Sequence, residues 1–191
     1  MKVVINLPDL SAYCDTLLMI GELSKRVQRV YVLTNDGQKW ELDQFKQWPK
    51  LHLIAIPRHQ YSTSASHWIT QRVKAEGLDV IHDMFGHFAP FCEQRHPHSR
   101  SYIMLTTQRT TNWGWFKRVK PLKYMIDLRY ASQRVLSLWK DTRILRSVDH
   151  VVVLGPGHEE DIIQAHGLSP SSISYIPSET DISLFHPPSS A

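Results

Sequence analysis

The sequence predicts an α/β domain of three layers, a mostly parallel sheet of about seven strands with helices on both faces. Three observations carry that prediction. Short β-branched runs alternate with longer amphipathic or polar stretches along the chain, the pattern of repeated strand–helix units. Most of these runs are apolar at nearly every position, as strands covered on both faces require. The 191 residues, 42% hydrophobic and 21% charged, are enough for one sizeable core without disulfide or metal support.

The elements follow in order. Strands are expected at Lys2–Leu7, Arg29–Thr34, Leu51–Pro57, Asp79–His82, Ser101–Thr106, His150–Leu154 and Ile173–Ile176. A first helix over Cys14–Val27 gathers Leu17, Leu18, Ile20, Leu23 and Val27 on one stripe. Lys25 and Arg26 suit the negative end of its dipole. A second fits Ser66–Glu76 and stops at Gly77. The longest starts after Pro121 and runs to about Ser147, and a short one near His158–Ala165 ends at Gly167. No internal repeat interrupts this order. One domain over residues 1–185 is expected, followed by a linker-like tail at 186–191.

Composition narrows the setting. Cys14 and Cys92 are isolated thiols, which argues against a disulfide framework or a cysteine zinc site and suits a reducing compartment. The apolar run at the N-terminus is broken by Asn6 and Asp9 and is too short for a signal peptide. No run approaches the ~20 apolar residues of a membrane-spanning helix. The expected location is cytoplasmic, with peripheral contact at the inner face of the membrane as an option. The net charge of +4 is uneven: Lys117 to Arg146 holds nine bases and two acids, a local +7 that leaves −3 elsewhere. No nucleic-acid motif accompanies those bases, so no nucleic-acid partner is expected.

Three stretches carry a family resemblance: Asp79-Val80-Ile81-His82 at a strand end, Val148-Asp149-His150-Val151-Val152-Val153, and Ile176-Pro177 through Pro187. In order and spacing they resemble the N-terminal, acceptor-side domain of retaining glycosyltransferases with the two-domain GT-B fold, particularly the family-4 group. The resemblance implies a Rossmann-like domain and a metal-independent transfer from a nucleotide sugar to a glycan or lipid-linked acceptor. The donor, a UDP- or GDP-sugar, would be gripped by a C-terminal domain absent from this sequence, in the same or a separate chain. That missing half would also bring the paired glutamates, so this half binds no cofactor of its own and should turn over nothing. Residues 186–191 would then begin the interdomain linker. The alternative is a non-catalytic Rossmann-like module, a degenerate or split subunit kept for partner or membrane binding. A sugar-nucleotide epimerase of similar fold fits the terminal segment less well.

Ligands of open α/β sheets bind beyond the carboxyl ends of the strands. That rule selects the loops Pro8–Tyr13, Asp83–Phe88, Thr107–Thr111 and Gly155–Gly157. The first is glycine-rich in the resembled family but reads Pro8-Asp9-Leu10-Ser11-Ala12 here. Asp9 and Ser11 are therefore helix caps first and ligand contacts second. His82, Asp83 and His87 cluster after the fourth strand. A metal site is not expected of them, because one short loop rarely aims three side chains at one point. The resemblance makes His82 and His87 candidates for the acceptor or cleft. After the fifth strand, Gln108 stands near where relatives often carry a histidine; it can hydrogen-bond but not exchange a proton near neutral pH. Arg109 can hold an anion bidentately, or be a polar loop tip. Gly155-Pro156-Gly157 precedes Glu159, Glu160 and Asp161, three acids that favour a helix start and repel phosphate. Trp113, Trp115, Lys117, Arg118 and Lys120 set aromatic rings beside bases, a surface for an acceptor or for anionic lipid, or a solvated basic face with the tryptophans beneath.

Overall fold

The computed structural model describes residues 1–8, 14–35, 48–84, 102–108, 128–155 and 157–176. Seven strands are present: β1 (Lys2–Asn6), β2 (Arg29–Asn35), β3 (Leu51–Ile56), β4 (Val80–Met84), β5 (Ile103–Gln108), β6 (His150–Val153) and β7 (Ile173–Tyr175). They pair in the order β3-β2-β1-β4-β5-β6-β7, and every pairing is parallel. Among the described residues four α-helices lie between them: α1 (Cys14–Arg26), α2 (Tyr61–Glu76), α3 (Leu128–Ser147) and α4 (His158–His166). The fold is α/β and Rossmann-like.

Successive strand residues point to opposite faces, and the apolar clusters divide accordingly. Val3, Ile5 and Leu7 pack with Val30, Val32 and Met84 against Ile20 and Val27, on and just after α1. Val4 instead joins Tyr31, Leu33, Ile81 and Met104 against Ala65 and Ile69 of α2 and Ile144 of α3. Val151 and Val153 meet Leu145 of α3 and Ile162 of α4. Helices thus cover both faces, α1 on one and α2, α3 and α4 on the other. Right-handed crossovers require this division, because the chain reverses its direction across the sheet after β3.

The element boundaries differ from the sequence expectation in three informative places. β4 and β5 extend two residues further than expected, so Asp83, Thr107 and Gln108 belong to strands and not to the loops that follow. α2 begins at Tyr61 rather than Ser66, entered through a 3-10 turn at Arg58–Gln60. α4 ends as expected, with Gly167 left-handed at φ 63° and its N–H donating to the Ile163 carbonyl, a geometry that a side chain would strain.

Two aspartates fix the starts of strands. The Asp79 N–H donates to the Lys2 carbonyl at 3.0 Å while its Oδ2 accepts from the Lys2 N–H at 2.6 Å. Asp149 repeats the arrangement on Met104, at 2.9 and 2.7 Å. At the same end of the sheet, Glu76 closes α2 by accepting from Arg72 at 2.6 Å, Arg29 at 3.2 Å and the Tyr31 hydroxyl at 2.9 Å. Burial alone would raise the Glu76 pKa, but the Tyr31 and Arg72 hydrogen bonds and the charges of Arg72 and Arg29 outweigh it and hold the carboxylate below its ordinary range. Arg72 also lies over the Trp68 ring, 5.3 Å from its centroid, a cation–π contact that ties the cluster to the α2 surface.

One glycine is required by close approach. A Cβ on Gly21 of α1 would fall 2.6 Å from the Trp48 ring, inside any tolerated contact. Gly21→Ala would gain roughly 1 kcal/mol of helix propensity but must displace a packed indole, an overpacking cost of about 1–3 kcal/mol. A net loss of up to about 2 kcal/mol is expected in urea unfolding, and Gly21→Ala together with Trp48→Leu should recover it.

Candidate functional site

The sheet has one topological switch point, between β1 and β4, where the chain turns from building leftward to building rightward. A crevice opens outside the carboxyl ends of strands at such a point, and it is the favoured ligand position in open α/β sheets. Asn6 and Asp83 are the residues that flank it, paired in register at the ends of β1 and β4. Both are fully buried.

A buried carboxylate needs donors. The Asn6 Nδ2 donates to Asp83 Oδ1 at 2.8 Å. The other end of the amide, Oδ1, lies 2.6 Å from the Tyr61 hydroxyl, which is also 2.8 Å from the Leu33 carbonyl. The phenol has a single proton to divide between those two acceptors. Its acidity is suppressed, with burial and then the Asp83 charge raising the pKa above its ordinary 10.0. Tyr61 therefore stays neutral and serves as a donor. The next strand continues the row: Thr106 is in register with Asp83, fully buried, and its Oγ1 has no hydrogen-bond partner among the described residues. One polar row thus crosses β1, β4 and β5 on the face covered by α2.

His82 lies on the opposite face. It neighbours Ile5 and Leu105 in register, and its Nε2 is 2.7 Å from Thr107 Oγ1. Burial lowers its pKa to about 4, so the ring is neutral at physiological pH and can donate or accept but not deliver a proton. His150 is two strands away in the same row, and its Nε2 makes the equivalent contact with Ser174 Oγ on the next strand at 2.8 Å. The two histidine–hydroxyl pairs repeat one geometry across β4–β5 and β6–β7.

This placement corrects one expectation, that Asp83 and Gln108 lie in the loops after β4 and β5. His82 and Asp83 are consecutive strand residues and so project to opposite faces. Among the described residues no group of three or more His, Cys, Asp or Glu is arranged to hold a metal. Gln108 is the last residue of β5, opposite Val153, and not part of a loop tip. Asp9, Ser11, His87, Arg109, Trp113, Trp115, Lys117, Arg118 and Lys120 lie outside the described residues. Sequence reading missed Asn6, Tyr61 and Thr106. Asn6 had a visible signal, a polar residue interrupting an otherwise apolar buried strand. Tyr61 had none, because its partners are 55 and 28 residues away.

Two features limit what the crevice can hold. The first loop opens with Pro8, whose carbonyl accepts from both the backbone N–H and the side-chain amide of Asn35. Proline offers no N–H, so this start gives a phosphate no donor. At the end of β6, a Cβ on Gly155 would fall 2.6 Å from the His158 ring, and α4 opens with Glu159, Glu160 and Asp161. That helix start has acids where an anion would sit. No side-chain cap is present there; Gly157, left-handed at φ 77°, makes the turn. Among the described residues, these two strand ends offer an anion little.

No protein-family model and no curated protein matches the sequence. Solved structures do match. Sucrose-phosphate synthase from Thermosynechococcus elongatus aligns over 98% of this chain and 50% of its own, with a TM-score of 0.68 and 16% identity. Anabaena HepE, solved in complex with UDP and glucose, aligns over 99% and 47%, with a TM-score of 0.59 and 13% identity. Arabidopsis thaliana UGT89C1 complexed with UDP aligns over 95% and 53%, with a TM-score of 0.56 and 9% identity. At these identities the likeness is one of fold. The chain spans about half the length of each.

Proposed function

We propose that this chain is the acceptor-side Rossmann-like domain of a GT-B glycosyltransferase. A second domain binds the nucleotide-sugar donor, and the reaction retains the anomeric configuration. The observation that carries the reading is the switch-point crevice within a fold that matches half of several GT-B glycosyltransferases along nearly its whole length. Electrostatics support the division of labour. A buried carboxylate and a proline-led loop at β1 and β4 disfavour a diphosphate on this half, leaving donor phosphates to the other. Neutral His82 and Thr107 beside it are uncharged groups that suit hydrogen bonds to sugar hydroxyls. The acceptor is then a glycan or a lipid-linked saccharide, and the donor a UDP- or GDP-sugar.

The loss of a phosphate-binding first loop also favours a second reading, a non-catalytic module of the same fold. Nucleotide release separates them. The protein as its source cells make it should release UDP or GDP from at least one sugar donor when glycan and lipid fractions are supplied. Absence of both release and donor binding would refute the transferase reading. The 191-residue chain alone is expected to release none, and release by it would overturn the assignment of the donor to another domain.

A further inference from the structure

Thr106 lacks what the rest of its polar row has. Asn6, Asp83 and Tyr61 are joined by hydrogen bonds. The Thr106 side chain is fully buried in the same row, yet its Oγ1 meets no partner among the described residues. A buried hydroxyl in that state carries its whole desolvation cost, and native proteins seldom leave one so. Valine has nearly the same shape and would fill the position without that cost. The neighbours on this face narrow what can satisfy the hydroxyl. Met104 precedes it by two residues along β5, and Val151 lies beside it on β6. Both are buried, and neither side chain carries an oxygen or nitrogen. Asp83, in register on β4, does. Its Oδ1 accepts from the Asn6 amide at 2.8 Å, and a carboxylate has lone pairs for further donors.

We propose that an enclosed water molecule bridges Thr106 Oγ1 and the Asp83 carboxylate. Adjacent strands lie about 4.8 Å apart, so side chains rising from one row stand too far apart to bond directly. One water with two hydrogen bonds of about 2.8 Å spans that gap. It donates a proton to the carboxylate and accepts the one on the hydroxyl, as buried waters do for polar groups that the chain leaves over. A sugar hydroxyl cannot take its place, because Thr106 and Asp83 have no solvent exposure. The water gives Asp83 a donor beyond Asn6. It also ties β5 to β4 through side chains at the end of the sheet where the crevice opens. The proposal is independent of the glycosyltransferase reading.

The test joins a crystal structure of the 191-residue chain, fine enough to show ordered solvent, to the stability of a variant. A water is expected within hydrogen-bond distance of both Thr106 Oγ1 and the Asp83 carboxylate. Thr106→Val keeps the shape of the side chain but takes one partner from the water. Its unfolding equilibrium constant in urea should therefore rise about fivefold. Thr106→Ser keeps the hydroxyl, so its crystal structure should retain the water that the valine variant loses. A parent structure with no solvent at that point would overturn the proposal. So would a Thr106→Val protein as stable as the parent or more stable, the result expected of a hydroxyl that is buried with nothing to bind.

Discussion

Replacing Asn6 with leucine should cost about 2–3 kcal/mol, the upper part of the range for taking a hydrogen bond from a buried charged acceptor. Asn6 supplies an amide donor to Asp83, a carboxylate with no solvent exposure in the central row of the sheet. Removing that donor takes one hydrogen bond from a buried carboxylate, while Tyr61 keeps the Leu33 carbonyl as an alternative acceptor. The unfolding temperature should fall by roughly 7 °C, given about 2–4 °C per kcal/mol in a chain of this size. Asn6→Leu with Asp83→Leu should recover much of the loss, because an apolar pair of similar volume removes the uncompensated charge. Urea midpoints of the two single variants and the double variant give the coupling directly. A loss under 1 kcal/mol for Asn6→Leu would mean that Asp83 is not held as a carboxylate by this contact.

Acid should destabilise the fold before its carboxylates protonate. His82 titrates near 6.5 when unfolded but at about 4 in the fold, because burial disfavours the charged ring. The unfolded chain therefore binds a proton that the folded chain refuses between those values. Stability is fully present above pH 6.5 and is lost as pH falls toward 4, by about 3 kcal/mol from this residue. His166 acts with the same sign: burial lowers its pKa, Asp141 opposes and Arg146 assists. The Thr142 hydroxyl proton goes to the Leu138 carbonyl, so the contact with His166 requires the Nδ1–H tautomer. Urea midpoints at pH 7.5, 6, 5 and 4 should drop steeply for the parent. They should drop less for His82→Gln, which keeps a hydrogen-bonding group toward Thr107. Parallel slopes for the two proteins would show that His82 is not held neutral.

The strands were legible because a covered parallel sheet writes itself as continuous β-branched runs, and the short α4 because glycines bracket an acidic first turn. The polar ends of strands were not. Asp83, Thr107 and Gln108 read as loop residues by composition, yet they continue the ladder since Asp83 is paired with Asn6 across the sheet and Thr107 with His82. The same pairing hid the site. A polar residue at a strand end signals a loop only if no partner meets it, and partners 77 or 25 residues away are invisible to local pattern. The early start of α2 was hidden for a related reason: Ser62, Thr63 and Ser64 break any apolar period, and what holds Tyr61 there is its contact with β1 and β2.

The two strand-start aspartates bear on how the chain avoids misassembly. Parallel strands have no hairpin turn to set their alignment, and a shift of one residue would exchange the two faces of a strand. In β4 that shift would carry the Asp83 charge toward α1 and His82 toward α2. Asp79 grips both backbone groups of Lys2, and Asp149 both of Met104, so each works as an index peg that fits one notch. They sit at the end of the sheet opposite the crevice, so β4 and β6 are kept in frame by contacts that take no part in the site.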